Sequence, residues 1–177
     1  MTDPRWLDER QQRAWRGYLA MQTRLQAQLN RQLQADSGMS LADFDVLVAL
    51  TDRPDVQIRV LELAEALQWE KSRLSHHLAR MQRRGLIERQ ECPDDARGAF
   101  VVLTDAGRLA IERAAPAHVE TVRALVFDGL DPDQVDTLAD IAESVLNRID
   151  TRRATAPSSA GWRSGTVEDR EQQGACC

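Results

Sequence analysis

The segment Trp69–Arg108, WEKSRLSHHLARMQRRGLIERQECPDDARGAFVVLTDAGR, decides the fold because its two halves carry different patterns. In the first half, Leu74, Leu78 and Met81 fall at i, i+4 and i+7, the spacing of one apolar helix face. Gly85 follows as a residue able to adopt the left-handed backbone that ends many helices. The first half therefore predicts a helix over about 70–84 with one core-facing side.

The opposite side of this helix is basic. Between Lys71 and Arg84 there are five Lys or Arg residues and no acid, so the segment carries about +5 on a chain of net charge −5. A basic face on an acidic protein suits phosphate binding, although most charge runs are only solvated faces. The side chains expected to face outward are Ser72, Arg73, Ser75, His76, His77 and Arg80, with Arg83 and Arg84 near the end.

The second half predicts a two-stranded ribbon and a new helix. Residues 86–91 and 99–103 are the candidate strands, and the turn formers of 93–98 separate them. Arg97 would stand at the tip, close enough to Asp95 for the carboxylate to hold its guanidinium. An arginine there can enter a narrow minor groove, whereas the simpler alternative is a charged turn. Helix, ribbon and helix in this order predict a winged helix-turn-helix and point to DNA.

These parts resemble the MarR family of bacterial transcriptional regulators. The resemblance rests on ELAEAL at 62–67, KSRLSHHLARMQRRGLIER at 71–89, DDAR at 94–97 and LTDAG at 103–107. It covers roughly 6–152 and is most specific over 61–107. The wing departs from the family pattern, because CPDDARG lacks a second arginine. The adjacent His76 and His77 are a further departure, which predicts DNA binding that responds to mildly acidic pH.

The basic face and the resemblance together indicate a DNA-binding site. Arginine can make a bidentate contact to guanine, so base contacts are expected in the first turns of the helix, and phosphate contacts from Lys71, Arg83 and Arg84. The candidate DNA-binding residues are Lys71, Ser72, Arg73, Ser75, His76, Arg80, Arg83, Arg84, Asp95 and Arg97.

Long helices are predicted on both sides of the winged segment. One is expected over about 7–35, a second after a Ser40 cap, a third from Thr104 to about Phe127 that is interrupted and kinked at Pro116, and a last one after Asp131. A short strand near 57–59 could complete the wing sheet. The apolar seams of the first and last helices comprise Trp15, Tyr18, Met21, Leu25, Leu29 and Leu33, and Val135, Leu138, Ile141, Ala142, Val145 and Ile149.

Such seams would leave a monomer with unusually large apolar patches, which predicts a homodimer; an intramolecular bundle is the alternative. The expected fold is mainly α with a small β-wing (α+β), a winged helix-turn-helix with long N- and C-terminal dimerisation helices. Its predicted divisions are an N-terminal dimerisation helix at 1–37, the DNA-binding domain at 38–103, C-terminal dimerisation helices at 104–152 and a disordered tail at 153–177.

The resemblance implies a repressor that binds a palindromic operator in double-stranded DNA and is released by a small aromatic or phenolic effector. The residues expected nearest such a ligand are Trp15, Tyr18, Phe44 and His118, each of which could instead be a core or interface residue. Cys92, beside the wing turn, offers a thiol-based redox switch as another possibility.

Other classes of function find little support in the sequence. It has no glycine-rich phosphate loop, nucleophile elbow or HExxH motif, and no cysteine pair with zinc-ligand spacing. We therefore expect no enzyme activity, cofactor or metal, and the lack of a long apolar run predicts a cytoplasmic protein without membrane contact. A winged helix that binds only protein is the main rival, because the fold does not dictate function.

Overall fold

The computed structural model describes residues 4–53, 55–92 and 95–155, with the backbone alone at 91, 92, 95–98 and 154. It is mainly helical with one small sheet, as predicted. In chain order its elements are α1 (Glu9–Ser37), α2 (Leu41–Thr51), β1 (Gln57–Arg59), α3 (Val60–Ala66), α4 (Lys71–Arg83), β2 (Ile87–Cys92), β3 (Asp95–Leu103), α5 (Asp105–Val122), a π-helical turn (Arg123–Phe127) and α6 (Pro132–Thr155).

The core lies between α2, α3, α4 and the sheet. The predicted stripe of α4 is fully buried, since Leu74, Leu78 and Met81 are each 0% exposed. Burial of each such side chain stabilises the fold by about 1.5–3 kcal/mol. They meet a cluster drawn from the other elements that includes Val46, Leu47, Leu50, Ile58, Leu63, Ile87, Val101 and Ile111.

The sheet has three antiparallel strands in the order β1-β3-β2. The predicted short strand near 57–59 is present as β1, and Ile58 pairs with Val101 of β3. β3 begins at Asp95, so the ribbon extends into the stretch predicted as a turn, and its register shifts between Glu91 and Cys92. The wing is therefore longer than the sequence pattern indicated.

Several helix ends follow the predicted capping chemistry. The Ser40 hydroxyl accepts from the Asp43 amide at 3.0 Å while the Asp43 carboxylate accepts from the Ser40 amide, a reciprocal capping box at the start of α2. The Asp131 and Gln134 side chains do the same before α6. Gly85 follows α4 with φ +71°, the left-handed backbone expected of it.

Thr104 joins two elements. Its hydroxyl accepts from the Gly107 amide at 3.0 Å, which caps α5, and donates to the Gly85 carbonyl at 2.7 Å. A Cβ at Gly107 would collide with the Leu86 carbonyl, so only glycine allows this approach of α5 to the start of β2. The end of α4, the wing and α5 are thereby tied together.

The expected interruption of α5 at Pro116 was wrong, whereas the apolar seams expected to stay exposed in a monomer do so in part. α5 runs to Val122 without interruption at Pro116, and the irregular backbone lies later, in the π-helical turn. The seam of α1 is not uniformly buried: Leu29 and Leu33 enter the core, but Trp15, Tyr18 and Met21 are 52%, 48% and 51% exposed. Only the C-terminal part of α1 belongs to the core of the described chain.

The chain divides into two compact units, one ending at Leu130 and one beginning at Asp131. In the second unit, α6 carries apolar side chains at helical spacing that remain exposed: Leu138, Ile141, Val145, Leu146 and Ile149 are each 39–58% exposed. This face has no covering element within its own unit in the described residues.

Candidate nucleic-acid interface

The two sides of α4 differ sharply in exposure. Whereas its apolar stripe is buried, the predicted outward residues Lys71, Ser72, Arg73, Ser75, His76, Arg80 and Arg83 are all exposed, as is Arg84 at the C-cap. Four of the exposed residues in the helix are cations and none is an acid. α4 therefore presents a basic, hydrogen-bonding surface anchored by a rigid apolar underside.

Several of these side chains are uncommitted. In the described part of the chain, Lys71, Ser72, His76 and Arg83 have no side-chain hydrogen bond or ion pair to another residue. Their donors are free to bind phosphate oxygens or base edges without first breaking an internal contact.

Arg73 is held by an aromatic ring. Its guanidinium lies over the indole of Trp69, 4.4 Å from the ring centroid. This cation–π contact fixes the direction in which the arginine leaves the helix, and its planar donors stay available for bidentate bonding. Trp69 itself packs against the hydrophobic core, so the ring that supports Arg73 is anchored.

His77 does not face outward, so the expectation for this residue was wrong. It is only 6% exposed, and its Nε2 lies 3.0 Å from Oδ1 of Asp43 on α2. Its Nδ1 lies 3.0 Å from a guanidinium nitrogen of Arg80. The physical reason is its spacing: position 77 lies three residues after Leu74 and four before Met81, on the buried face.

Arg84 also has an internal partner that the sequence did not suggest. Its guanidinium donates to Oδ2 of Asp43 at 2.7 Å and to the carbonyl of Gly38 at 3.2 Å. Gly38 is the C-cap of α1 and Asp43 lies in the first turn of α2. Arg84 therefore tethers the end of α4 to the junction of α1 and α2, although its side chain remains 44% exposed.

Asp43 is the centre of this polar cluster. Burial alone would raise its pKa, but hydrogen bonds from His77, the Ser40 amide, Arg84 and the Ser40 hydroxyl hold the pKa of the carboxyl well below its ordinary value of 3.8. Nearby Asp45 differs, because burial raises its pKa despite an opposing attraction to His77. Asp43 is therefore an ionised, buried anchor between α2 and α4.

The wing contacts α4 through Arg89 of β2. Its guanidinium lies 3.4 Å from both the carbonyl and the hydroxyl of Ser75, which links β2 to α4. On the neighbouring strands, Arg59 stacks over Phe100 at 5.2 Å. The backbones of Cys92, Asp95 and Arg97 belong to β2 and β3, but their side chains lie outside the described residues. The expected Asp95–Arg97 pair and the Cys92 thiol switch remain predictions.

The four candidate ligand-contacting residues form two separate pairs. Trp15 and Tyr18 stack at 5.7 Å on the exposed part of α1. Phe44 is buried, and its ring lies 4.4 Å from that of His118 on α5. Burial lowers the pKa of His118 below its ordinary value of 6.5, so its ring is neutral at pH 7. Within the described residues its buried Nδ1 has no hydrogen-bond partner.

The N-terminal part of α1 borders a groove. A space of about 370 Å³ lies between Trp6, Leu7, Gln12, Trp15 and Arg16. It is mainly apolar, and Trp6 is 82% exposed. This groove continues the exposed aromatic surface of Trp15 and Tyr18.

The described residues contain no cluster of three or more His, Cys, Asp or Glu side chains arranged to hold a metal ion. None of their helices combines the length and apolar character needed to cross a bilayer.

Sequence reasoning missed three residues of this site: Asp43, His77 and Arg89. For His77 a usable signal was present but was misread, since three residues after Leu74 and four before Met81 is a position on the buried face. The contacts of Asp43 and Arg89 join residues 34, 41 and 14 positions apart, and nothing in the local pattern specifies them.

Comparisons with known proteins agree on one family. Residues 37–98 match the model of the MarR family. The crystal structure of Sco3205, a MarR family transcriptional regulator from Streptomyces coelicolor in complex with DNA, is 41% identical with a TM-score of 0.79, covering 89% of this chain and 96% of that one. For AbsC, a MarR family regulator from the same organism, the identity is 34%, the TM-score 0.78 and the coverage 84% and 99%.

A curated relative extends the agreement beyond structures. The transcriptional repressor MprA of Escherichia coli (strain K12) is 27% identical over 130 residues, 73% of each chain. These relatives are transcriptional regulators rather than enzymes. The winged architecture, the basic face of α4 and an identity of 41% over nearly the whole chain lead to one conclusion: the chain belongs to the MarR family of transcriptional regulators.

Proposed function

We propose that this regulator binds double-stranded DNA sequence-specifically, with α4 as the recognition helix in the major groove. The observation that carries the proposal is the division of α4 into a buried apolar face and an exposed basic face without acids. The Sco3205 relative was crystallised in complex with DNA, which supports DNA binding by this chain. A helix of this size enters the major groove and reads base edges from its exposed side.

The exposed residues divide into two roles. Arg73, Ser75, His76 and Arg80 are proposed to reach base edges or adjacent phosphates, together with Ser72. Lys71 and Arg83 are proposed phosphate contacts. Arg84 is proposed chiefly as a tether, because its guanidinium already binds Asp43 and Gly38. On the wing, Arg97 is the proposed minor-groove contact and Asp95 its partner.

We further propose a homodimer formed by the terminal helices. The exposed apolar side chains of α1 and of α6 are the support, since a monomer seldom leaves so many large ones in contact with water. A second copy of this chain would cover these apolar faces with matching ones. In this proposal 1–37 and 104–152 supply the dimer contacts, and 38–103 supplies the DNA-binding domain.

A two-fold dimer gives the operator its geometry. Recognition helices related by such an axis would enter successive major grooves about 34–36 Å apart and bind a palindromic site. MprA is named a repressor, and we propose the same direction of control here. A protein bound across a promoter lowers transcription by excluding polymerase.

Release by a small aromatic effector is proposed at the Phe44–His118 pair. The support is chemical: the pair combines a buried aromatic ring, a neutral imidazole and a buried nitrogen without a partner among the described residues. An aromatic ligand with a hydroxyl could stack on Phe44 and donate to that nitrogen. Such a ligand would release DNA only if it bound more tightly to a dimer whose recognition helices are spaced wrongly for DNA than to the DNA-binding form.

The decisive experiment is a salt titration of DNA binding. Fluorescence anisotropy would compare the purified protein on duplex from its own upstream intergenic region and on random duplex. We expect a preference for the upstream duplex and a log–log slope of about −0.9 per phosphate contact, because binding releases counterions. Weak affinity that is equal for both duplexes and independent of salt would instead favour a winged helix that binds protein.

A further inference from the structure

His77 occupies an unusual position on the proposed recognition helix. It lies four residues after Arg73 and three before Arg80, so all three share one side of α4. Unlike those two exposed arginines, His77 is only 6% exposed. At that burial it cannot reach a base edge, so its influence on DNA has to pass through neighbouring side chains.

The contacts of His77 determine its tautomer. A guanidinium has only donors, so the 3.0 Å contact from Arg80 requires Nδ1 of His77 to be an acceptor. The proton of the neutral ring is then on Nε2, which lies 3.0 Å from the Asp43 carboxylate. An ionised carboxylate at this position favours the same tautomer. Arg80 thus lies on the Nδ1 side of the ring and Asp43 on its Nε2 side, where the contact is close but lacks the geometry of a hydrogen bond.

The same ring supports the second arginine. Trp69 meets His77 edge to face, with ring centroids 5.3 Å apart and planes at 90°. The same indole also contacts Arg73, whose guanidinium lies 4.4 Å from the Trp69 ring centroid. One buried imidazole is therefore in contact with Arg80 directly and with the support of Arg73.

We propose that His77 is a positioning residue for DNA recognition, which aims Arg80 through Nδ1 and stabilises Arg73 through Trp69. The inference rests on the proposed DNA binding. A long arginine side chain loses conformational freedom when it binds, and a partner that already restricts it lowers that loss. His77 would therefore strengthen binding to operator DNA without touching it.

A double-mutant cycle tests the coupling. Operator and random-duplex affinities would be measured for wild type, His77→Gln, Arg80→Ala and the double variant. Glutamine can still donate to Asp43 but lacks the Nδ1 acceptor. We expect about fivefold weaker operator binding for His77→Gln and about tenfold for Arg80→Ala, with the double variant near tenfold rather than fiftyfold.

Two variants make the cycle specific. Arg83→Ala is the matched control, because this exposed arginine has no described partner, and its effect should multiply with that of His77→Gln. His77→Asn, whose amide oxygen can take the place of Nδ1, should recover most of the lost affinity. Thermal unfolding of every variant separates loss of binding from loss of fold.

A spectroscopic readout is independent of DNA. With ¹⁵N-labelled histidine, we expect the His77 shifts of a protonated Nε2 and an accepting Nδ1, with a change at Nδ1 in Arg80→Ala. A protonated Nδ1, or effects of His77→Gln and Arg80→Ala that multiply like those of Arg83, would overturn the positioning role alone. If wild-type protein shows no preference for its upstream DNA, the proposed function fails instead.

Discussion

α4 and the first half of α1 both carry apolar side chains every three or four residues, yet their surroundings differ. In α4 the stripe of Leu74, Leu78 and Met81 is completely buried by α2, α3 and the sheet. In α1 the corresponding residues Trp15 and Tyr18 are about half exposed and stack on each other. Periodicity thus specifies which side of a helix is apolar, but not what covers it.

The comparison also separates two kinds of function. The buried underside of α4 gives its basic face a fixed orientation, which recognition of DNA requires. The exposed side of α1 is free to meet another surface, which assembly requires. Mutations on the two helices should therefore have different consequences.

The largest effect is expected from the buried stripe. Leu78→Ala should lower the free energy of unfolding by about 2–5 kcal/mol, because it leaves a cavity in a closely packed core. Urea unfolding at fixed protein concentration measures this loss. Gln22→Ala, at an exposed polar side chain of α1 outside its apolar seam, is the control and should cost about 1 kcal/mol or less. Equal losses would remove the distinction between the two helices.

The polar tether of α4 should respond to pH. Asp43→Asn should cost about 1.5–3 kcal/mol at pH 7, because charged hydrogen bonds to His77 and Arg84 are weakened. The folded-state pKa of Asp43 is depressed, so its stabilisation is present above its ordinary value of 3.8 and is lost as pH falls below it. Unfolding curves at several pH values should therefore show the gap between variant and wild type closing below about pH 4.

A constant gap down to pH 3 would contradict this account of Asp43. Ser72→Ala is a suitable control, since its exposed side chain on α4 has no described partner and should leave the pH profile unchanged.

Assembly should depend on the exposed apolar faces instead. Ile141→Asp should raise the dimer dissociation constant at least about tenfold, since burial of one isoleucine contributes about 1.5–3 kcal/mol. Sedimentation velocity over a concentration series measures the change. Glu143→Ala, at an exposed polar site of the same helix, should leave the dimer intact. A monomeric wild type would refute the proposed dimer.

Two arginines of α4 should contribute differently to binding of operator and of random duplex. Arg73→Ala should lower the difference in binding free energy between operator and random duplex by about 1–3 kcal/mol, the usual contribution of a bidentate base contact. Arg83→Ala should weaken binding to both duplexes about equally, as expected of a phosphate contact. Competition binding with the two duplexes distinguishes these outcomes, and a parallel loss in Arg73→Ala would reassign it to the backbone.

The smallest effect is expected at the wing. Arg97→Ala should weaken operator binding by about fivefold, because a single arginine in the minor groove is removed while the fold is kept. An unchanged affinity in a gel-shift titration would exclude the wing contact.

Local sequence patterns predicted much of the fold. The apolar repeat in α4, the cap at Ser40, the start of α6 and the glycine after α4 all follow from interactions within a few residues, and each is present. The proline in α5 was misjudged, since a helix packed along its length can retain a residue that would break an isolated one. The candidate contacts on α4 were found because charge and spacing are local properties.

The sequence by itself determined the winged fold, the basic face and the helices that carry apolar sides. Only the tertiary structure decided that His77 turns inward to Asp43, that Arg84 joins α4 to α1 and α2, and that half of the α1 seam stays exposed. The physical reason is distance along the chain. Helix and strand patterns arise from neighbouring residues, whereas the contacts of Asp43 with His77 and Arg84 require residues 34 and 41 positions apart to meet.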